Sequence, residues 1–215
     1  MINALAAAAF IGAAGTPAGV VPPGTYRYAV RSEGQIRTTS TVVISRDAAS
    51  VSVAESMPLG GETEHTTRLL DPVTFATRSW TGSSDGSSDT VTVATGSATY
   101  RHRGASTTLA AAGNGPAAVF DFMVAEFVTL PAMIHVTGAA HYAEYCVCLT
   151  AFEAKSIAVV PASAPRPQAV PAEDDALALT ATGETATLWY DPNTFILREL
   201  DLAREHISYV LQSSS

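Results

Sequence analysis

The chain has 215 residues, with 20 acidic against 12 basic side chains and a net charge of −8. That length allows one domain with a sizeable core, and the acidic balance argues against nucleic acid and anionic membranes as partners. Few charges and many Ala, Thr, Ser and Val residues favour strands punctuated by Gly- and Ser-rich turns.

Residues 1–22 carry an apolar run, Ala4–Gly15, of signal-peptide length, with Ala13-Ala14-Gly15 offering small residues to a peptidase. No Lys or Arg precedes it. The segment reads as an export signal, giving a periplasmic or extracellular protein, or as an apolar N-terminal arm. It is too short for a good transmembrane helix.

From Gly24 the period is two: Tyr26, Tyr28 and Val30 alternate with Arg27, Ala29 and Arg31. Strands follow at Ile36–Ser45, Ser50–Ser56, Thr66–Leu70, Phe75–Trp80, Thr90–Ala94, Ala98–Arg103 and Thr107–Ala111, separated by turn signals. This spacing predicts an antiparallel meander in a single domain over 23–212. Near 117–130 the pattern changes to helical, with Phe120, Met123, Phe127 and Leu130 on one half of a wheel. Pro116 suits the first turn, and Pro131 predicts a stop at about Leu130. Such a helix in a β chain packs most simply on the concave face of a curved sheet. Strands resume at Ile134–Val136, Tyr142–Phe152 and Ser156–Val160. Four prolines then mark 161–175 as a long exposed loop, read as an insertion. Leu177–Thr182, Thr185–Tyr190, Phe195–Leu202 and Ile207–Gln212 complete the sheet.

One motif occurs twice: Leu70-Asp71-Pro72-Val73-Thr74-Phe75, with Arg78, and Tyr190-Asp191-Pro192-Asn193-Thr194-Phe195, with Arg198. Proline fixes φ for the second turn position, and the Asp carboxylate can accept from amides two and three residues on. Both aspartates are therefore expected to serve architecture.

The candidates for chemistry are weak. Gly82-Ser83-Ser84-Asp85-Gly86 matches the nucleophile-elbow pattern but lies between strands, where no helix follows to project Ser84. The five histidines (His65, His102, His135, His141 and His206) have no tight metal-ligand spacing, so neither a metal nor a cofactor is expected. Arg101 and Arg103 would share a strand face. Cys146 and Cys148 read as two small buried hydrophobes, their Cα atoms near the upper limit for a disulfide if the strand is extended.

Trp189-Tyr190-Asp191-Pro192-x-Thr194 with Leu197-Arg198, the earlier Asp71-Pro72 copy and the Phe122–Leu130-Pro131 helix resemble periplasmic half-barrels of the lipoprotein-carrier type (LolA/LolB-like). The resemblance implies a curved antiparallel sheet of about eleven strands around one or two short helices. It also implies a non-enzymatic protein that holds an acyl chain or lipid in the concavity. Phe120, Met123, Phe127, Leu130 and Trp189 are the expected ligand-binding residues. The alternative is an envelope structural or protein-interaction module with a filled core and a protein partner.

Overall fold

The computed structural model describes residues 21–84, 87–121, 123–148, 151–181 and 184–215. The N-terminal apolar run, Phe122 and the Asp85-Gly86 tip of the nucleophile-elbow match lie outside the described residues. The first arm is a meander of β1 (Gly24–Ser32), β2 (Gln35–Arg46), β3 (Val51–Leu59), β4 (Glu62–Leu70), β5 (Thr77–Ser84), β6 (Ser87–Ala94), β7 (Ser97–His102) and β8 (Ala105–Ala110). The second begins with β9 (Ala117–Phe120), helix α1 (Ala125–Thr137) and β10 (His141–Cys148). It continues through β11 (Ala151–Pro161), β12 (Asp175–Ala181), β13 (Glu184–Tyr190), β14 (Leu197–Leu202) and β15 (Ile207–Ser214).

All of these strands belong to one open, curved 15-stranded sheet, in which β1 pairs with β15 to join the arms. Among the described residues the protein is all-β with one helix, and the all-β class is what its turn spacing predicts. The strand count corrects the expected eleven.

The inner face is set by period-two alternation. Tyr26, Val42, Glu55, Thr66 and Gly82 form one cross-strand row, and Ile44, Val53, Arg68 and Trp80 the next. The sheet curls until β5 lies against β9 and β8 against β11. Trp80, Val91 and Ala98 of the first arm then pack on Val119, Ala143 and Tyr145 of the second. The opposite face of β9 and β10, through Ala118 and Tyr142, joins the main core with the helix.

The helix departs from expectation at both ends. Residues 117–120 form β9, which pairs parallel with β10, and α1 is the crossover that such a pairing requires. Pro131 lies inside the helix, and Ile134–Val136, expected as strand, form its last turn. Nine consecutive residues, Ala125–Met133, are buried on every side. That burial outweighs the roughly 3 kcal/mol an interior proline costs. The helix ends instead at Gly138, in the left-handed conformation (φ 61°), whose amide donates to the Ile134 carbonyl at 2.8 Å.

The Pro-rich segment is a mostly exposed loop that folds on itself. Arg166 donates to the Pro171 carbonyl at 2.5 Å and to the Asp174 carbonyl at 2.8 Å, and Val170 and Asp174 are buried.

Candidate functional site

The site grows from two charged residues on the inner face. Arg68 of β4 is 1% exposed and donates to the Asp121 carboxylate, to Thr66 Oγ1 at 3.2 Å and to the Val119 carbonyl at 3.4 Å. Asp121 also accepts from Trp80 Nε1 at 2.5 Å and from the Met123 amide at 3.2 Å. On β3, Glu55 accepts the Ser40 hydroxyl at 2.5 Å and the amides of Val124 (3.3 Å) and Ala125 (2.7 Å). No side chain within the helix caps its N-terminus; Glu55 does so from another strand. A buried charge without a partner is costly, so these bonds fix the path from β9 into α1.

Burial pushes the Glu55 carboxyl up to about 7, with Asp121 adding to the rise, against the pull of the Ser40 bond, Arg68 and the Ala125 amide. Glu126, one residue into the helix, is buried with no hydrogen-bond partner for either carboxylate oxygen. Burial, then the nearby charge of Glu144, raises its pKa well above the ordinary range, against the pull of Arg68.

Beside this anchor, a cleft of about 590 Å³ opens between β3–β7 and the β10–β11 hairpin. Met57, Trp80, Tyr100, Met123, Val147 and Phe152 supply apolar wall, and Tyr100 stacks on Phe152 at 5.2 Å. Glu64, Asp89, His102 and Asp121 supply the polar groups. Asp89 accepts from the Tyr100 hydroxyl at 2.8 Å and contacts His102 Nδ1 at 2.6 Å. Gly82 is required here, because a side chain at that position would overlap the Trp80 ring lying over it. A larger hollow of about 770 Å³ near Asp71 and Asn114 is lined mostly by Ala, Gly and Thr, with Tyr145 its one aromatic ring and no methionine, so it offers little apolar wall.

The residues expected to bind ligand are dispersed. Met123 lines the cleft, while Phe120 and Phe127 line a separate cavity of about 130 Å³. Leu130 is buried in the main core with the helix. Trp189 is buried as well, but the alternation of β13 puts it on the face opposite Leu188 and Tyr190.

Cys146 and Cys148 form a disulfide across a Cα–Cα distance of 5.2 Å, which corrects the reading of two unlinked hydrophobes. An extended strand would hold these Cα atoms farther apart; here the backbone is contracted. Arg103 sits in the β7–β8 turn at φ 45°, so it does not share the strand face with Arg101. The nucleophile-elbow match lies in the β5–β6 hairpin, with no helix after the strand. No group of His, Cys, Asp and Glu suited to a metal occurs among the described residues.

Both repeated aspartates cap their turns. Asp71 Oδ1 accepts from Val73 and Thr74 at 3.0 and 2.8 Å, and Asp191 Oδ1 from Asn193 and Thr194 at 2.8 and 3.2 Å. Sequence reasoning missed Glu55, Arg68, Trp80 and Asp121. The available signal was the alternation Thr66-x-Arg68-x-Leu70, which places a guanidinium on the face of a core leucine. Comparison with known protein families, with curated proteins and with solved structures finds no match to this chain.

Proposed function

We propose that the protein is a non-enzymatic binder of an apolar ligand, an acyl chain or lipid, held in the cleft between β3–β7 and the β10–β11 hairpin. The observation that carries this reading is the cleft itself: several hundred Å³, walled by two methionines and three aromatic rings, with a few polar side chains among them. The turns resemble those of periplasmic half-barrels, which supports the same reading. A disulfide fits an exported protein in an oxidising compartment. Asp121 is neutralised by Arg68, and the remaining carboxylates of Glu64 and Asp89 favour a neutral or cationic head group over a free fatty-acid carboxylate.

Native mass spectrometry of gently purified protein should show a co-purified lipid. Titration with neutral, cationic and anionic single-chain amphiphiles should rank the anionic ones last. Gly82→Ala, by displacing Trp80, should weaken uptake. A clean apo mass with no uptake from the panel would overturn the proposal. It would favour the second reading, a protein-interaction module, for which the helix filling the centre of the concavity is the supporting observation.

A further inference from the structure

We propose that the Cys146–Cys148 disulfide is a thiol–disulfide exchange site, in which a dithiol entering the cleft attacks Cys148 and releases Cys146. The inference goes beyond ligand binding and does not depend on what else occupies the cleft.

The first observation is that the bond has little to stabilise. Both cysteines lie in β10, two positions apart, and that strand is already held by β11, with Cys146 opposite Glu153 and Cys148 opposite Ala151. Cross-linking stabilises mainly by removing freedom from the unfolded chain, and the effect shrinks with the loop closed. A loop spanning a single intervening residue removes little.

The second is an asymmetry of access. Cys146 is 1% exposed and is flanked by Phe120 of β9 on its other side. The β9 pairing stops there, so nothing from β9 flanks Cys148. Cys148 is half-buried and lines the 590 Å³ cleft, which Cys146 does not reach, although both cysteines line the 130 Å³ cavity. A thiol reaching this bond from the cleft meets Cys148 first.

The chemistry balances without a cofactor. A substrate thiolate attacks Cys148 Sγ; the Cys146–Cys148 bond breaks, and Cys146 leaves as a thiolate that takes a proton. The second substrate thiolate then attacks the substrate sulfur of the mixed disulfide and expels Cys148. The dithiol is oxidised by two electrons, and the cysteine pair is reduced by two. Exchange with a low-molecular-weight disulfide restores the pair by the reverse route.

The test uses the full chain, with dithiothreitol and glutathione disulfide as probes. Oxidised protein should be reduced by dithiothreitol under native conditions at a rate that does not follow global unfolding. With glutathione disulfide, Cys146→Ser, which leaves Cys148 free, should form its adduct about tenfold or more faster than Cys148→Ser, because exchange rates follow access. Cys146→Ala repeats the comparison with the buried site kept apolar. The Cys146→Ala/Cys148→Ala double variant should keep its far-ultraviolet spectrum and melt close to wild type. Reduction only upon unfolding, equal adduct rates at the two cysteines, or loss of the fold in the double variant would each overturn the proposal.

Discussion

The two Asp-Pro-x-Thr-Phe hairpins are near copies, yet they are built into the molecule differently. In both, the Asp amide pairs with the carbonyl five residues on, and the Phe amide returns to the Asp carbonyl. Each phenylalanine takes positive φ, 59° at Phe75 and 55° at Phe195. In each, a register shift falls just before the aspartate. Each aspartate also binds the arginine seven residues later, at 2.6 Å for Arg78 and 3.2 Å for Arg198. The difference lies in what surrounds them. Arg78 is 52% exposed and donates to the Ala49 carbonyl. Arg198 also reaches Asp174 of the Pro-rich segment at 3.6 Å, and that carboxylate is 2% exposed. Phe75 lies under the Arg46 guanidinium, whereas Phe195 packs between Tyr190 and His135 of the helix. One local motif thus serves as a plain turn in the first arm and as a three-way junction in the second.

The largest expected losses come from what the copies share. Phe75→Ala and Phe195→Ala should each cost about 3–5 kcal/mol, the usual price of emptying a buried aromatic site, measured by denaturant melts. A loss below about 1 kcal/mol at either would show that the motif does not anchor that arm. The arginines should then separate the copies. Arg198→Ala leaves the buried Asp174 carboxylate without its ion-pair partner and should cost about 3 kcal/mol. Arg78→Ala, at a half-exposed pair, should cost about 1 kcal/mol or less. Burial already raises the Asp174 pKa, so the Arg198→Ala deficit should shrink as the pH is lowered and Asp174 takes up a proton. Equal losses at the two arginines would erase the distinction.

Smaller effects should restore the likeness. Asp71→Ala and Asp191→Ala each remove a turn cap worth about 0.5–2 kcal/mol, and the Asn variants, which keep an acceptor, should lose distinctly less. The Thr74 amide foremost, helped by the Val73 amide and Arg78, holds the Asp71 carboxyl down at about 2 against the opposing pull of desolvation. For Asp191, burial pulls upward, but the Asn193 and Thr194 amides outweigh it and keep the carboxyl below its ordinary value. An aspartate in the unfolded chain titrates near about 3.9. The contribution of Asp71 is therefore complete above about pH 4 and lost as the pH falls toward about 2, and Asp71→Asn should flatten that part of the stability profile. Pro72→Ala and Pro192→Ala should cost least, about 0.4–1 kcal/mol, through the freedom they return to the unfolded chain.

These turns are legible in the sequence because everything that makes them lies within eight residues. The all-β class and most strand positions follow for a similar reason, since alternation and turn chemistry are local. The helix is not legible in the same way. Pro116 and Pro131 obey local rules for a start and a stop, but Glu55, 70 positions before Ala125, caps the helix where it begins. Burial from all sides then carries it through the proline. The short β9 gives only four residues of signal before the crossover. The cleft escapes for the same reason, as its walls come from seven strands and from Asp121 and Met123 on the way into the helix.

The order of the sheet has a kinetic consequence. Among the described strands, every ladder joins neighbours in the chain except the one between β1 and β15. Across that seam the Tyr28 hydroxyl donates to the Leu197 carbonyl, 169 positions away. Hairpins close in microseconds, whereas distant pairings wait on the entropy of the chain between them. The two arms should therefore form first and zip together along β1 and β15 late in folding. A weakened seam, as in Tyr28→Phe, should then hasten unfolding while leaving the folding rate nearly unchanged.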